Sequence, residues 1–239
     1  MCIRDRIIGV VKVKFFLLLS PKPILSQSKD NSMNNIKNII LDLGGVLINL
    51  DYHKTNDKLG KLGVPNGFTK AKQITIFDDL EEGKISDISF YEAINKLAGS
   101  NHSPQLIIDA WNAILLDFPK KRLDLVQQLN EHYRVFLFSN TNAIHFREVH
   151  KNLQEVHGIP NLEAHFEKVY LSHELGIRKP KLEGFQHILD MHQLNPTETL
   201  FVDDSPQHIQ GALKVGIKAE WLNLEKEDIH GLLNRLKLI

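Results

Sequence analysis

The chain is poor in cysteine, in net charge and in long apolar runs, and each shortage excludes a class of protein. Its single cysteine, Cys2, cannot form a disulfide within the chain, as is usual for proteins of a reducing cytoplasm. Lys+Arg and Asp+Glu both total 29, which gives no basis for broad binding to nucleic acid or anionic membranes. No apolar run approaches the roughly 18–20 residues that span a bilayer. We therefore expect a cytoplasmic globular protein with neither nucleic acid nor membrane as partner, either a monomer or a homodimer.

The first 32 residues differ in character from the rest of the chain. Residues 1–6 resemble translated sequencing-adapter sequence. Residues 15–19 are apolar, but this run is too short for a signal peptide and no small-residue cleavage site follows it. Met33 stands a few residues before the first predicted strand. We expect residues 1–32 to be a non-native or disordered extension and Met33 to be the true start.

A short apolar run at residues 39–41 has the pattern of a buried parallel strand. Asp42 ends this run, and Gly44 and Gly45 follow, which permits positive φ and close approach of the backbone to a ligand. Ligands of open α/β sheets bind beyond the carboxyl ends of the strands. Asp42 is therefore a candidate nucleophile or metal ligand, although an aspartate that merely caps a turn fits this stretch equally well.

The rest of the chain divides into a helical part and an alternating part. Apolar spacing and cap residues predict helices at residues 52–62, 68–80, 87–98 and 106–116. Strands are predicted at residues 134–138, 169–171, 199–202 and 217–222, with helices between them. These patterns predict an α/β fold, a three-layer doubly wound Rossmann-like parallel sheet formed by residues 35–50 and 119–239. Residues 51–118 are predicted to be an inserted helical cap, either a lid over the site or an ordinary packing layer.

Polar residues follow three of the predicted strands, and a lysine, Lys179, lies in a loop between the last two. The clusters are Asp42, Ser139 with Asn140, and Asp203 with Asp204. Each cluster alone fits ordinary turn and helix-cap chemistry. Because parallel strands end at one edge of the sheet, however, we expect all of them to converge. Three carboxylates and an ammonium are costly as core packing but suit Mg²⁺ and a phosphate group.

In this order the clusters resemble motifs one to four of the haloacid dehalogenase (HAD) superfamily of phosphohydrolases. The resemblance runs from about residue 35 to residue 221 and includes the pair Lys179-Pro180. It is closest to phosphatases of subfamily IA type with a helical cap, in particular the α-D-glucose-1-phosphate phosphatase-like group, through the Asp-x-Gly-x-Val form and the Ser-Asn-Thr-Asn run. The resemblance implies a Mg²⁺-dependent phosphatase acting on a small phosphorylated metabolite, such as a sugar phosphate.

The resemblance also implies a role for each motif residue. Asp42 would attack phosphorus and form an aspartyl-phosphate intermediate. Ser139 and the Asn140 amide would bind the transferring phosphoryl group, and Lys179 would pair with both the phosphate and Asp42. The implied Mg²⁺ ligands are Asp42, the backbone carbonyl of Gly44, Asp204 and, directly or through water, Asp203.

Gly44 departs from the pattern of the superfamily. Most of its phosphatases carry a second aspartate there, which protonates the leaving group and later activates water. General acid–base help is worth about 10²–10⁴-fold, so turnover would be slow or would need a good leaving group such as an anomeric phosphate. The predicted cap offers substitutes, although a solvated acidic face is the simpler interpretation of them: Asp78, Asp79, Glu81, Glu82 and His53.

Two other functions remain open at this point. A catalytically weakened protein that only binds a phosphorylated ligand would explain Gly44. A metal-independent 2-haloacid dehalogenase also uses the first-strand aspartate, but Asp203 and Asp204 speak against it. The histidines between residues 145 and 165 form no ligand pattern with a carboxylate, and we expect them, His145 included, to lie at the surface.

Overall fold

A parallel sheet lies at the centre of the computed structural model, which describes residues 32–64 and 74–239. Within those residues the sheet has five strands in the order β3-β2-β1-β4-β5, and each neighbouring pair is parallel. The strands are β1 Asn38–Leu41, β2 Arg134–Ser139, β3 Lys168–Leu171, β4 Thr199–Asp203 and β5 Lys218–Trp221. Ile40 of β1 is in register with Phe136 of β2 and Phe201 of β4. Asp42 therefore follows the central strand, between the ends of its two neighbours.

The described residues also form ten α-helices, most of them where the sequence predicted helices. They are α1 Tyr52–Lys61, α2 Thr75–Glu81, α3 Asp87–Ala98, α4 Pro104–Trp111, α5 Lys120–Asn130, α6 Ala143–His157, α7 Ser172–Leu175, α8 Leu182–His192, α9 Pro206–Lys214 and α10 Ile229–Arg235.

Helices cover both faces of the sheet. Side chains alternate along a strand, so neighbouring residues of β1 enter different cores. Ile39 and Leu41 pack with residues of α5, α6 and α10, whereas Ile40 packs with residues of α8 and α9. All three side chains are fully buried. The predicted three-layer, doubly wound α/β architecture is confirmed.

Helices α1 to α4, between β1 and β2 in the chain, pack around a hydrophobic cluster of their own. The sequence signals for α3 act as predicted, because the Ser86 side chain accepts a hydrogen bond from the backbone N–H of Ser89 and Gly99 ends the helix with φ 60°. Trp111 and Phe77 stack at the centre of the cluster, with ring centroids 4.7 Å apart. We call residues 51–118 the helical segment.

Some boundaries differ from the prediction for identifiable reasons. Helix α4 stops at Trp111, whose carbonyl accepts a hydrogen bond from the Thr55 hydroxyl at 3.0 Å, and a short 3₁₀ turn, Asn112–Ile114, follows. The four-residue helix α7 was not predicted, since so short an element leaves no periodic signal. The start of the predicted 68–80 helix and residues 1–31 of the predicted extension lie outside the described residues. None of the described helices has the length and hydrophobicity that a bilayer span requires.

Candidate active site

The buried ammonium of Lys179 joins the ends of three strands. Its Nζ donates hydrogen bonds to Asp42 Oδ1 at 2.6 Å, to Asp203 Oδ2 at 2.7 Å and to the carbonyl of Phe138 at 2.7 Å. An ammonium has three donors, so these contacts use all of them. Burial opposes the positive charge, but the carboxylates of Asp203 and Asp42 outweigh it and raise the pKa of this lysine. The structure thus brings the predicted loop cation to the predicted strand ends.

The residues after β2 hold the surrounding loops in place. The side chain of Asn140 donates to the backbone carbonyl of Lys179 at 3.0 Å and accepts from its backbone N–H at 2.8 Å. The backbone N–H of Thr141 donates to the Ser172 hydroxyl at 2.9 Å, and this hydroxyl donates back to the Thr141 carbonyl at 2.9 Å. The Asn140 side chain therefore holds the backbone of Lys179 in place. Ser139, buried at the end of β2, lies beside the cavity described below.

Asp203 is wholly buried, and both of its carboxylate oxygens are engaged. Oδ1 accepts from the backbone N–H of Ser205 at 2.7 Å, Oδ2 accepts from Lys179, and the Nδ1 of His208 lies 3.0 Å from both oxygens. Burial raises the pKa of Asp203, but the charge of Lys179 and the hydrogen bond with His208 outweigh it and hold that pKa well below its usual range. His208 was not predicted from the sequence, and the available signal was its position in the first turn of the helix after β4.

Asp42 has a different electrostatic environment from Asp203. Burial raises its pKa to about 7, Lys179 opposes this shift, and the negative charges of Asp203 and Asp204 add to it. Without a further cation nearby, the carboxyl group of Asp42 is therefore only partly ionised at neutral pH. A metal ion at the same place would favour the ionised form.

The structure also brings Asp204 to the same edge, against the first turn. Asp42, Asp203 and Asp204 each offer a carboxylate oxygen within 4.8 Å of the others. Gly45 has φ 75°, and a Cβ on it would lie 2.1 Å from Asp204 Oδ2. This turn accommodates glycine alone, and it leaves a set of oxygen donors of the kind that Mg²⁺ prefers. The residues present therefore fit the expected magnesium ion.

A cavity between the helical segment and the sheet adjoins this turn. Its polar lining includes Ser139 from the sheet and Tyr52 and Glu81 from the helical segment, and Gly44 forms part of its wall. A Cβ on Gly44 would lie 2.7 Å from Leu50 Cδ1. Leu50 thus occupies the space that a side chain at the missing-aspartate position would enter.

The acidic end of α2 is not the solvated face that the sequence suggested. Glu81 and Glu82 are only 7% and 8% exposed. Arg178 Nη2 lies 2.7 Å from Glu81 Oε2, and Arg178 also pairs with Asp78. Lys181 pairs with Glu82. For the two glutamates the expectation is wrong, because cations of the loop between α7 and α8 cover them.

The expectation of a surface position is also wrong for His145. Its ring stacks on Trp111 with centroids 4.7 Å apart, and its Nε2 lies 3.2 Å from the Trp111 carbonyl. Burial lowers the pKa of His145 to about 4, so the ring is neutral at physiological pH. His145, in the first turn of α6, packs as a core residue against the helical segment.

A parallel α/β sheet with a buried aspartate, a lysine and a carboxylate cluster at its carboxyl edge is the arrangement of a phosphate-processing hydrolase. Residues 36–216 match the family model for a haloacid dehalogenase-like hydrolase. The chain therefore belongs to the haloacid dehalogenase-like hydrolases, and the predictions of family and of fold are confirmed.

Individual relatives agree with this assignment. D-ribitol-5-phosphate phosphatase from Bacteroides thetaiotaomicron is 33% identical over 186 residues, which cover 77% of this chain and 90% of that protein. A HAD family enzyme of that organism, solved as an alanine mutant with magnesium and inorganic phosphate, has a TM-score of 0.77 and 36% identity, covering 82% of this chain and 98% of its own. A protein described as a predicted HAD-like family hydrolase from Porphyromonas gingivalis has a TM-score of 0.76 and 28% identity, covering 85% of this chain and 98% of its own.

These relatives bear on the competing functions. The chain is a HAD-family phosphatase, a phosphoric monoester hydrolase, and the prediction of this class is confirmed. The expected Mg²⁺ agrees with relatives solved with magnesium and phosphate and with the aspartate cluster at the sheet edge. The phosphatase is therefore preferred to the dehalogenase and to the protein that only binds a ligand.

Proposed function

We propose that this enzyme hydrolyses a small phosphorylated sugar or sugar alcohol in a Mg²⁺-dependent reaction that proceeds through an aspartyl-phosphate on Asp42. The observation that carries the proposal is the shared ammonium of Lys179, 2.6 Å from Asp42 and 2.7 Å from Asp203, beside the carboxylate of Asp204. A nucleophile, a fixed cation and oxygen ligands for a metal are the parts that phosphoryl transfer needs, because most of its catalysis is positioning and charge neutralisation.

Each residue of the site has a defined part in this reaction. Asp42 attacks phosphorus, and Lys179 holds this carboxylate in place and offsets the negative charge of the phosphate. The hydroxyl of Ser139 and the backbone beside Asn140 bind phosphate oxygens.

Asp42, the carbonyl of Gly44 and Asp204 would hold the metal, and Asp203 would reach it directly or through water. When bound, Mg²⁺ polarises the phosphoryl group and neutralises its charge. The contacts of Asp203 with Lys179, Ser205 and His208 favour the water-mediated approach for this residue.

The substrate class rests on the cavity and on a relative. The cavity has polar groups, among them Tyr52 and Glu81, beside apolar ones such as Leu115, which suits a short hydroxylated chain. A relative that is 33% identical is a D-ribitol-5-phosphate phosphatase. We include both sugar alcohol phosphates and anomeric sugar phosphates, because the latter offer the better leaving group. The proposed enzyme is a cytoplasmic monomer or homodimer that does not bind nucleic acid.

Phosphate release from a substrate panel tests the proposal. Ribitol 5-phosphate, glucose 1-phosphate, glucose 6-phosphate and p-nitrophenyl phosphate are supplied with Mg²⁺ or with EDTA, and chloride release from a 2-haloacid is measured in parallel. We expect Mg²⁺-dependent phosphate release that falls by at least about 10³-fold in Asp42→Asn, since the nucleophile is lost. Asp124→Asn, the same change on the exposed face of α5, is the matched control. Phosphate release that survives either EDTA or Asp42→Asn contradicts the proposal.

A further inference from the structure

Gly44 leaves the second half of the proposed reaction without a group to activate water. Hydrolysis of an aspartyl-phosphate needs a base near the phosphorus, and the first turn has no side chain to supply one. We propose that Glu81, at the end of α2, is the general base that activates this water, an inference that rests on the proposed function of the site. The base is then supplied by the helical segment and not by the first turn.

The cavity next to Gly44 contains few groups able to accept a proton. Among the described residues that line it, the titratable side chains are Tyr52, Glu81 and His145. His145, in the first turn of α6, stacks on Trp111, and its Nε2 is engaged with the Trp111 carbonyl. Burial raises the pKa of Tyr52, so its hydroxyl keeps its proton. Glu81 is the remaining side chain of the three, and its carboxylate can accept a proton from water.

The surroundings of Glu81 suit a base and not an acid. Arg178 Nη2 lies 2.7 Å from Glu81 Oε2, and an opposite charge at this distance favours the ionised carboxylate. Arg178 precedes Lys179 in the chain, so the ion pair links Glu81 to the loop that holds the nucleophile. Glu81 and Gly44 line the same cavity, so the helical segment presents this carboxylate to the turn that follows Asp42.

The role of Glu81 can be written as two balanced steps. In the first, an Asp42 oxygen forms a bond to phosphorus, the bond from phosphorus to the leaving oxygen breaks, and that oxygen takes a proton from solvent. In the second, Glu81 takes a proton from water as the water oxygen bonds to phosphorus. The bond between phosphorus and Asp42 breaks, its electron pair returns to the carboxylate, and inorganic phosphate leaves. Glu81 then returns its proton to solvent, so the proton taken in the first step is replaced.

Rapid-quench kinetics with p-nitrophenyl phosphate separate these two steps. Nitrophenolate leaves without protonation, so Glu81→Gln should still release close to one nitrophenolate per active site in a burst. Steady-state turnover should then fall by about 10²–10⁴-fold, the usual value of general acid–base help. Acid-quenched protein should carry a phosphoryl group on Asp42, detected by intact-protein mass spectrometry.

Asp78→Asn is the matched control, because Asp78 is the other carboxylate paired with Arg178. If Glu81 only anchors Arg178, both variants should lose the burst and the steady state together. The inference predicts instead that Asp78→Asn accumulates no phosphoenzyme and turns over close to the unmodified enzyme. Equal loss of burst and turnover in Glu81→Gln, or turnover within about threefold of the unmodified enzyme, overturns the inference.

A second variant keeps the inference testable if Glu81→Gln folds poorly. Glu81→Ala opens space for a small carboxylate, and added formate should restore its steady-state rate without changing the burst. A folded Glu81→Ala protein that formate does not rescue counts against the inference. If the proposed function itself is wrong, the result is different. A nitrophenolate burst that persists in Asp42→Asn would show that no aspartyl-phosphate forms on Asp42.

Discussion

Lys179→Met is the change whose consequences follow most directly from the site. The lysine side chain is 0% exposed and donates to two carboxylates and one carbonyl. Methionine has a similar length but no donor, so it leaves Asp42 and Asp203 as buried charges without their common cation. Breaking a buried ion pair by removing one partner costs about 3–5 kcal/mol, and we expect a loss of this size in the free energy of unfolding.

The same change should suppress the nucleophile. Lys179 is the largest influence that lowers the pKa of Asp42, which burial already raises to about 7. An opposite charge at this range lowers a carboxyl pKa by about 1–3 units, so its loss should reduce the ionised fraction at pH 7, which starts near one half, by about 5–500-fold. Activity should fall as well, because the variant also lacks the cation that would offset phosphate charge.

Two measurements check these expectations, namely urea unfolding at neutral pH and p-nitrophenyl phosphate hydrolysis at saturating Mg²⁺. Lys181→Met is the matched control, since Lys181 is 52% exposed and pairs with Glu82 alone. That exposed contact should be worth under about 1 kcal/mol, with little change in rate. If Lys179→Met unfolds within about 1 kcal/mol of the unmodified protein and keeps its rate, the account of the shared ammonium is refuted.

Three further predictions concern the metal, the nucleophile and the buried histidine. Gly45→Ala puts an alanine in a left-handed conformation, at a cost of about 1–2 kcal/mol, and displaces the Asp204 carboxylate. Half-saturation of activity by Mg²⁺ should then need about 10–100-fold more metal. An unchanged Mg²⁺ titration of activity would contradict the close contact between this turn and Asp204. Because the pKa of Asp42 is raised to about 7, Mg²⁺ binding at pH 6 should release about one proton and at pH 8.5 almost none, which calorimetry in buffers of different ionisation enthalpy measures. The pKa of His145 falls from 6.5 to about 4 on burial, so its contribution of roughly 3 kcal/mol is present above pH 6.5 and lost as the pH falls towards 4. Urea unfolding at pH 7 and pH 4.5 should show this loss. His145→Gln, which keeps a polar group near the Trp111 carbonyl but does not titrate, should reduce the loss.

The parts of the fold and site that the sequence predicted depend on short-range patterns. The apolar run before Asp42 and the polar clusters after β2 and β4 each mark the end of a strand, and parallel strands end at one edge of a sheet. Convergence of Asp42, Ser139 and Asp203 therefore follows from topology, whereas the loop that carries Lys179 is held by its hydrogen bonds with Asn140. The start of α3 after Ser86 follows from local capping in the same way.

The parts that the sequence did not predict depend on contacts between distant segments. Glu81 and Arg178 are almost a hundred positions apart, and no periodicity indicates that one covers the other. The acidic end of α2 therefore looked solvated, although its glutamates are nearly buried. His145 was misjudged for the same reason, since only its packing against Trp111 removes it from solvent.

Asp203 and Asp204 show how neighbouring residues of the same type come to differ in function. Successive side chains at a strand end point in opposite directions, so one carboxylate enters the core and the other faces the first turn. Asp203 is enclosed and engaged by Lys179 and His208, which keeps it ionised without a metal. Asp204 is half-buried, and its carboxylate lies too close to Gly45 to leave room for a side chain at that position. Asp203 therefore stabilises the lysine, whereas Asp204 is the carboxylate that we propose as a metal ligand. On that proposal, a substitution of Asp203 should impair folding before it impairs metal binding, and a substitution of Asp204 should act in the reverse order.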